Sequence, residues 1–401
     1  MSTQQFLSDT VLNLEESATL KMSQMARDLK AKGKDVISLS IGEPDFDTPE
    51  FIRDAAKKAL DDGFTHYTPV PGLIEFRQAI CNKLKRDNDL SYDPSQIVVS
   101  NGAKQTIYNI CQAMLNPGDE VIIFAPYWVS YEAIVKLAGA VPVILTAGVE
   151  TDFKVAASDL AAAITAKTKF VLFSSPSNPT GSLYTQSELK AIADVLETEE
   201  HVFVVSDEIY EHIVFSGKHY SIAQNANIKE RTIVVNGMSK GFAMTGWRLG
   251  YMAAPSFLAK ACSKIQGQVT SGANAFGQKA AVAALEREPK EITKGMMQIF
   301  LKRRDMVIAE LQKIEGLKLS VPQGAFYIFP DCSSFFGKTY ESKTITDSND
   351  LAEALLIGAN VATVAGAAFG APNCIRISYA ASEEVLMEAC RRFQAFFSEL
   401  S

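Results

Sequence analysis

From residue 94 onward the chain alternates short, apolar, β-branched runs with stretches of helical periodicity. That alternation builds βαβ units and a mostly parallel sheet. Residues 97–100 precede a helical stretch at 103–114, 120–124 precede 129–137, and 170–174 precede 187–196. Residues 202–205 lead through a polar connection to a further apolar run at 233–235. Runs that are apolar throughout belong to strands buried on both faces, so helices are expected on both sides of the sheet. From about residue 300 the pattern changes. A charged helix at 300–313 leads to short strands near 317 and 325–329, a helix at 349–357, a strand at 374–378 and a final helix at 383–397. The reading is an α/β fold in which a large domain (46–299) carries the parallel sheet. A smaller α+β domain (300–401) is joined by the N-terminal segment (1–45), which ends in a turn-rich Gly42-Glu-Pro-Asp-Phe46.

Composition narrows the function classes. The net charge of −7 and the lack of a basic stripe interleaved with aromatics give no support to nucleic-acid binding. The first seventeen residues lack the basic-then-apolar pattern of a signal peptide, and no apolar run approaches a membrane span. Cys81, Cys111, Cys262, Cys332, Cys374 and Cys390 are scattered without metal-ligand spacing. They read as reduced core residues of a cytoplasmic protein, and no metal site is expected.

Ligands of open α/β sheets bind beyond the carboxyl ends of the strands. Three apolar runs deliver polar residues there. The run at 170–174 leads to Asn178, the run at 202–206 ends at Asp207 and Tyr210, and the run at 233–235 leads to Lys240, with Arg248 eight residues further on. A lysine among small residues and away from bulk water has a lowered pKa and is a Schiff-base nucleophile. A guanidinium suits a phosphate. A buried Asp keeps a pyridinium nitrogen protonated, and Tyr210 and Asn178 offer donors to a phenolic oxygen. Together these requirements are those of pyridoxal phosphate.

Taken singly, each residue has a plainer use. Lysines after strands are mostly solvated, Asp commonly caps helices, and Asn before Pro marks a turn. The stretch Gly237-Met-Ser-Lys-Gly241 also fits the Gly-x-Ser-x-Gly elbow of hydrolases. That mechanism needs a histidine after the serine, and His66, His201, His212 and His219 all precede Ser239. Gly241 and Gly246 have the Walker A spacing, but Trp247 stands in place of its lysine, and no Gly-x-Gly-x-x-Gly is present. A strand followed by Ser100-Asn-Gly102-Ala103-Lys104 at a helix start offers N–H groups to a dianion. Trp128 stands at another strand end, where its ring can stack on a cofactor.

These motifs fall in a diagnostic order: Ser17-Ala-Thr19, Gly42-Glu-Pro-Asp-Phe-Asp-Thr-Pro49, Tyr67-Thr-Pro-Val-Pro-Gly72, Gly102-Ala-Lys-Gln105, Pro126-Tyr-Trp-Val-Ser-Tyr131, Ser175-Pro-Ser-Asn-Pro-Thr-Gly181, Ser206-Asp-Glu-Ile-Tyr-Glu211, Ser239-Lys-Gly-Phe-Ala-Met-Thr-Gly-Trp-Arg-Leu-Gly250 and Ile375-Arg-Ile-Ser-Tyr379. With them the chain resembles, nearly end to end, the class I (fold-type I) pyridoxal-phosphate aminotransferases, closest to the bacterial aspartate aminotransferase subgroup. The resemblance implies the cofactor on Lys240, its pyridine nitrogen on Asp207, and its phenolic oxygen near Tyr210 and Asn178. It implies the phosphate on Arg248 and the backbone of Gly102 and Ala103, with Trp128 stacked on the ring. It implies a homodimer in which Tyr67 reaches the neighbouring subunit's phosphate. Arg376 is implied as the clamp on the substrate α-carboxylate, with the Gly42 N–H beside it, and the small domain as an element that swings inward on binding.

In that subgroup the residues matching Lys104 and Thr19 contact the distal carboxylate of acidic substrates. The implied reaction passes the amino group of L-aspartate to 2-oxoglutarate by a ping-pong route through pyridoxamine phosphate. Members with the same pair also aminate prephenate, which leaves that activity open. A lysine at a helix start runs against the helix dipole, which favours a ligand role for Lys104. An aromatic or kynurenine-type aminotransferase, or a β-lyase, would share the cofactor residues but not the use of Lys104. A cofactor-binding transcriptional regulator would need a helix-turn-helix that the N-terminal segment has no room for. One departure stands out: Glu15-Glu16 occupies the place where relatives often carry Lys-Pro.

Overall fold

The computed structural model describes residues 6–401; residues 1–5 of the expected N-terminal segment lie outside the described residues. A two-residue strand β1 (Ile37–Ser38) precedes the main sheet. That sheet comprises β2 (Ile97–Ser100), β3 (Glu120–Ala125), β4 (Val141–Thr146), β5 (Thr168–Ser174), β6 (Phe203–Asp207), β7 (Thr232–Gly237) and β8 (Gly250–Ala253), in the order β2-β8-β7-β6-β5-β3-β4. All neighbours from β4 to β7 run parallel, and β8 is antiparallel to both β2 and β7.

Alternation along the strands sends side chains to two cores, as the pleat requires. Val121 and Ile123 pack with Ile107 and Ile110 of the helix Ala103–Met114. Ile122 and Phe124 pack with Leu189, Ile192 and Leu196 of the helix Gln186–Thr198. That second helix starts at a capping box in which Thr185 and Glu188 satisfy each other's backbone N–H groups. With a core on each face, the parallel strands have only their ends open to a ligand.

Beyond the sheet come β9 (Tyr327–Ile328), β10 (Thr339–Tyr340), β11 (Lys343–Thr344), β12 (Val361–Ala362), β13 (Val364–Ala365) and β14 (Ile375–Ser378). β13, β14 and β9 form an antiparallel sheet, and β10 and β11 a hairpin. β1 pairs in parallel with β12, which attaches the N-terminal segment to the C-terminal part of the chain.

Four details differ from the sequence-based expectation. The charged helix begins at Pro289 and runs to Leu311, so the expected division at 299/300 falls inside it. The strand expected near 317 is a single bridge between Lys318 and Asp331. β4 and β8 are additional strands of the main sheet. β4 carries Pro142, which the sheet edge tolerates because one side of an edge strand has no ladder partner. β8 reads Gly-Tyr-Met-Ala, too short and too mixed to register as a run. Among the described residues, no helix is long and apolar enough to cross a membrane.

Candidate active site

The ends of β5, β6 and β7 open onto a cavity of about 260 Å³. Asp207, Tyr210, Asn178, Lys240, Arg248, Ala103, Lys104, Trp128, Thr19, Gly42 and Arg376 all line it. Gly102 lies immediately behind Arg248. A Cβ on Gly102 would fall 2.3 Å from Arg248 Nη2, and its φ of +84° is left-handed as well. The left-handed φ favours glycine there, and any Cβ would displace the Arg248 guanidinium. Tyr67, by contrast, is 98% exposed and is not among the lining residues.

Asp207 is the last residue of β6 and is buried. Its Oδ2 accepts from the Tyr131 hydroxyl at 2.6 Å and its Oδ1 from the Ile209 N–H at 3.2 Å. Burial pushes its pKa up to about 6, although both hydrogen bonds oppose the shift. Lys240 follows β7, and its Nζ donates to the Gly42 carbonyl. Burial, with Arg376 and Arg248 adding like charge, lowers its pKa to about 8. Arg248 takes a left-handed φ of 56° and donates to the Thr245 carbonyl at 2.9 Å.

Arg376 sits in β14, buried, and donates to Asn178 Oδ1 at 3.0 Å and to the Ser40 carbonyl at 2.6 Å. Its Nε has no partner among the described residues, and neither does the buried Thr19 Oγ1. Lys104 Nζ stands 4.9 Å from the centre of the Trp128 ring. Desolvation and the nearby Arg248 lower the Lys104 pKa. Among the described residues, four basic side chains thus face one cavity with a single lining carboxylate, Asp207. Such a site suits a ligand that is strongly anionic at two separated points.

The sequence profile of the family "Aminotransferase class I and II" matches residues 34–393. The chain belongs to this family. It is 48% identical over 399 residues to a protein of Cereibacter sphaeroides named aspartate/prephenate aminotransferase, covering 99% of this chain and all of that one. The aspartate aminotransferase of Rhizobium meliloti superposes with a TM-score of 0.95 at 42% identity, over 98% of this chain and 99% of that one. The Thermus thermophilus aspartate aminotransferase with maleate does so with a TM-score of 0.90 at 39% identity, over 97% and 99%.

Two tyrosines of this aminotransferase were not singled out by sequence reasoning. Tyr131 supports Asp207, as above, and packs edge-on against Trp128 with ring centroids 5.6 Å apart. Its place three residues after Trp128, at a helix start, was the available signal. Tyr327 reaches the site from β9, and its hydroxyl lies 2.8 Å from that of Tyr210. No local pattern announced it.

Behind the site, the turn that follows β6 has a second face. Glu208 accepts from Ser206 at 3.0 Å, Ser221 at 2.6 Å and His219 at 3.1 Å. Glu211 accepts from Lys83, from Asn88 at 2.9 Å and from Asn236 at 2.8 Å. Burial alone would raise the Glu211 pKa, but the Lys83 ammonium and neighbouring histidines hold it well below the usual range. Glu208, Glu211 and His219 bring three possible metal donors together, yet Glu211 is already engaged by an ammonium.

Proposed function

We propose that this aminotransferase uses pyridoxal 5'-phosphate to transfer the amino group of L-aspartate to 2-oxoglutarate. The observation that carries the aspartate reading is a single cavity lined by Arg376 and, separately, by Lys104 and Thr19, with unpartnered polar atoms at Arg376 and Thr19. A dicarboxylate offers acceptors for both groups, and an amino acid with an apolar side chain leaves the second group unpaired, which discriminates strongly against it. The named relatives, and the solved structure holding maleate, support the same substrate class.

The residues present fit the cofactor. A buried carboxylate faces where a pyridine nitrogen would sit, and the helix start at Ala103 adjoins Arg248 for a phosphate. Tyr210 and Asn178 stand near the expected phenolic oxygen, with Trp128 beside the ring. The Gly102 cradle would be filled by any Cβ. When bound, pyridoxal phosphate supplies an electron-withdrawing ring that acidifies the substrate Cα proton.

The chain supplies the rest. Asp207 holds a negative charge at the ring nitrogen. Arg376 binds the α-carboxylate and Lys104 with Thr19 the distal one, which orients the Cα–H bond toward Lys240. Lys240 Nζ, whose pKa is lowered from 10.5 to about 8, takes that proton, and in the second half-reaction returns one to Cα of the acceptor. The first oxoacid leaves before the second binds, so the kinetics are ping-pong.

We also assign a homodimer with active sites at the interface, supported by the near-complete exposure of Tyr67 in the single chain. Six buried, unpaired cysteines support a reducing compartment such as the cytoplasm. The domain reading joins the N-terminal segment to the C-terminal part, which the β1–β12 pairing supports. Prephenate is the next acceptor to try. Glu15 and Glu16 are exposed and immediately precede the cavity residue Ser17, so their charges bear on which acids enter.

The test follows the visible absorbance of the purified, cofactor-loaded protein. L-Aspartate should bleach the band, 2-oxoglutarate should restore it, and Lys240→Ala should abolish both changes. Bleaching by an aromatic amino acid but not by aspartate would overturn the roles given to Lys104 and Thr19.

A further inference from the structure

Tyr327 is buried in β9, which pairs antiparallel with β14 so that Tyr327 stands opposite Ser378 and Ile328 opposite Ile377. The same strand, β14, carries Arg376. The Tyr327 ring lies 4.7 Å from the Arg376 guanidinium carbon, and its hydroxyl lies 2.8 Å from the Tyr210 hydroxyl. The two rings meet edge to face, with centroids 5.9 Å apart at 80°. Gly42 leaves space for this arrangement. A Cβ there would fall 2.8 Å from the Tyr327 hydroxyl and 3.8 Å from Arg376 Nη1.

We propose that Tyr327 is a positioning residue that joins the carboxylate clamp to the cofactor-facing tyrosine, its ring carrying Arg376 and its hydroxyl donating to that of Tyr210. This rests on the reading that Tyr210 faces the phenolic oxygen of bound pyridoxal phosphate. Two hydroxyls in contact share one donated hydrogen. For Tyr210 to direct its own hydrogen into the cavity, Tyr327 must be the donor of the pair. A hydroxyl that accepts a hydrogen bond is also a stronger donor. The charged groups facing the pair are Arg376 from β14, Asp207 from β6 and Lys240, whose Nζ is 5.9 Å from the Tyr210 ring centre. The nearby Tyr379 is engaged elsewhere, donating to the Ala325 carbonyl at 3.3 Å. No other hydroxyl competes for Tyr210 among its described hydrogen bonds.

The ring and the hydroxyl have separable effects. Tyr327→Phe keeps the ring under Arg376 and removes only the donor. A weaker donor at Tyr210 favours the protonated form of the bound chromophore. The midpoint of its visible pH titration should therefore rise by roughly half a unit, with the KM for L-aspartate within about twofold of wild type. Tyr327→Leu removes the ring as well, and should also raise that KM by about tenfold. Because Tyr327 acts through Tyr210, the double variant Tyr210→Phe/Tyr327→Phe should shift the midpoint no further than Tyr210→Phe alone.

The experiment is the spectroscopic pH titration of these four variants and wild type as holoenzymes, with thermal melts to establish that each is folded. An unshifted midpoint in Tyr327→Phe, or shifts that add in the double variant, overturns the proposal while leaving the cofactor assignment intact. No shift in Tyr210→Phe, or no uptake of cofactor by the wild type, overturns the underlying reading of the site and the proposal with it.

Discussion

Lys240 stands in an electrostatic conflict with its surroundings. Burial and two nearby guanidinium groups disfavour its charge, so its folded-state pKa is about 8 against an ordinary value of 10.5. Between those two values the unfolded chain binds more protons, and stability therefore rises with pH across that window. Below pH 8 the full cost of the charged amine is present, on the order of 3 kcal/mol. Lys240→Met should thus make the cofactor-free protein more stable than wild type at pH 7. The advantage should shrink as pH rises from 8 through 10.5. Denaturant unfolding at pH 7 and pH 10 measures this, and a variant less stable at both would contradict it. The same conflict favours the amine for the base role proposed for it. Lysine at this position serves chemistry at the expense of the fold, a trade common at functional sites.

At the scale of elements, the turn after β6 works as a two-sided bracket. Asp207 and Tyr210 face the cavity, and Glu208 and Glu211 face a buried polar network. Glu211 reaches Asn236 at the end of β7 and Lys83 in the helix Ile74–Asn88, so it ties together the strand ends that deliver Asp207 and Lys240. The Lys83 and Glu211 side chains are 0% and 3% exposed, and removing one partner strands the other charge. His212 Nε2 lies 3.3 Å from Glu211 Oε1, but burial, with Lys83 adding like charge, lowers the His212 pKa to about 4, so in the intact network Lys83 is the cation at pH 7. Lys83→Met should lower stability by about 3–5 kcal/mol, and thermal denaturation with and without cofactor would register it. A melting temperature within a degree of wild type would rule that out.

This scale also explains what could be read from the sequence. β3, β5 and β7 were legible because each carries an unbroken run of three or more apolar residues, as burial on both faces favours. β8 was not, since its four residues form no apolar run and its place is set by its partners, β7 just before it in the chain and β2 at least 150 residues away. Lys240, Asp207 and Arg248 were legible because strand ends in such sheets are where ligands go. Tyr131 and Tyr327 were not, because their hydrogen bonds with Asp207 and Tyr210 are made across 76 and 117 residues.

For the whole molecule, the consequence of the dimer reading is shared sites. Tyr67 projects from one chain and Lys240 lines the cavity of its own. In a mixed dimer of Tyr67→Ala and Lys240→Ala chains, one site carries both lesions and the other carries neither. Co-refolding equal amounts of the two weakly active variants should recover about a quarter of wild-type activity, since half of the dimers are hybrids with one intact site each. Recovery no greater than the sum of the parents would show that each chain completes its own site.

The connection between β7 and β8 holds both Lys240 and Arg248. Its two ends are neighbours in the ladder, where Gly237 pairs with Gly250. A Cβ on Gly250 would clash with the Ala103 backbone nitrogen, so this closure also sits directly on the helix start at Ala103. One closed loop therefore sets the distance between the amine and the guanidinium, as a calliper holds a fixed gap. Thr19, Lys104, Asn178 and Arg376 arrive from four other segments and take no part in that gap. On the roles proposed for these residues, changes in those segments would retune which acid is accepted while the span between amine and guanidinium stays the same length.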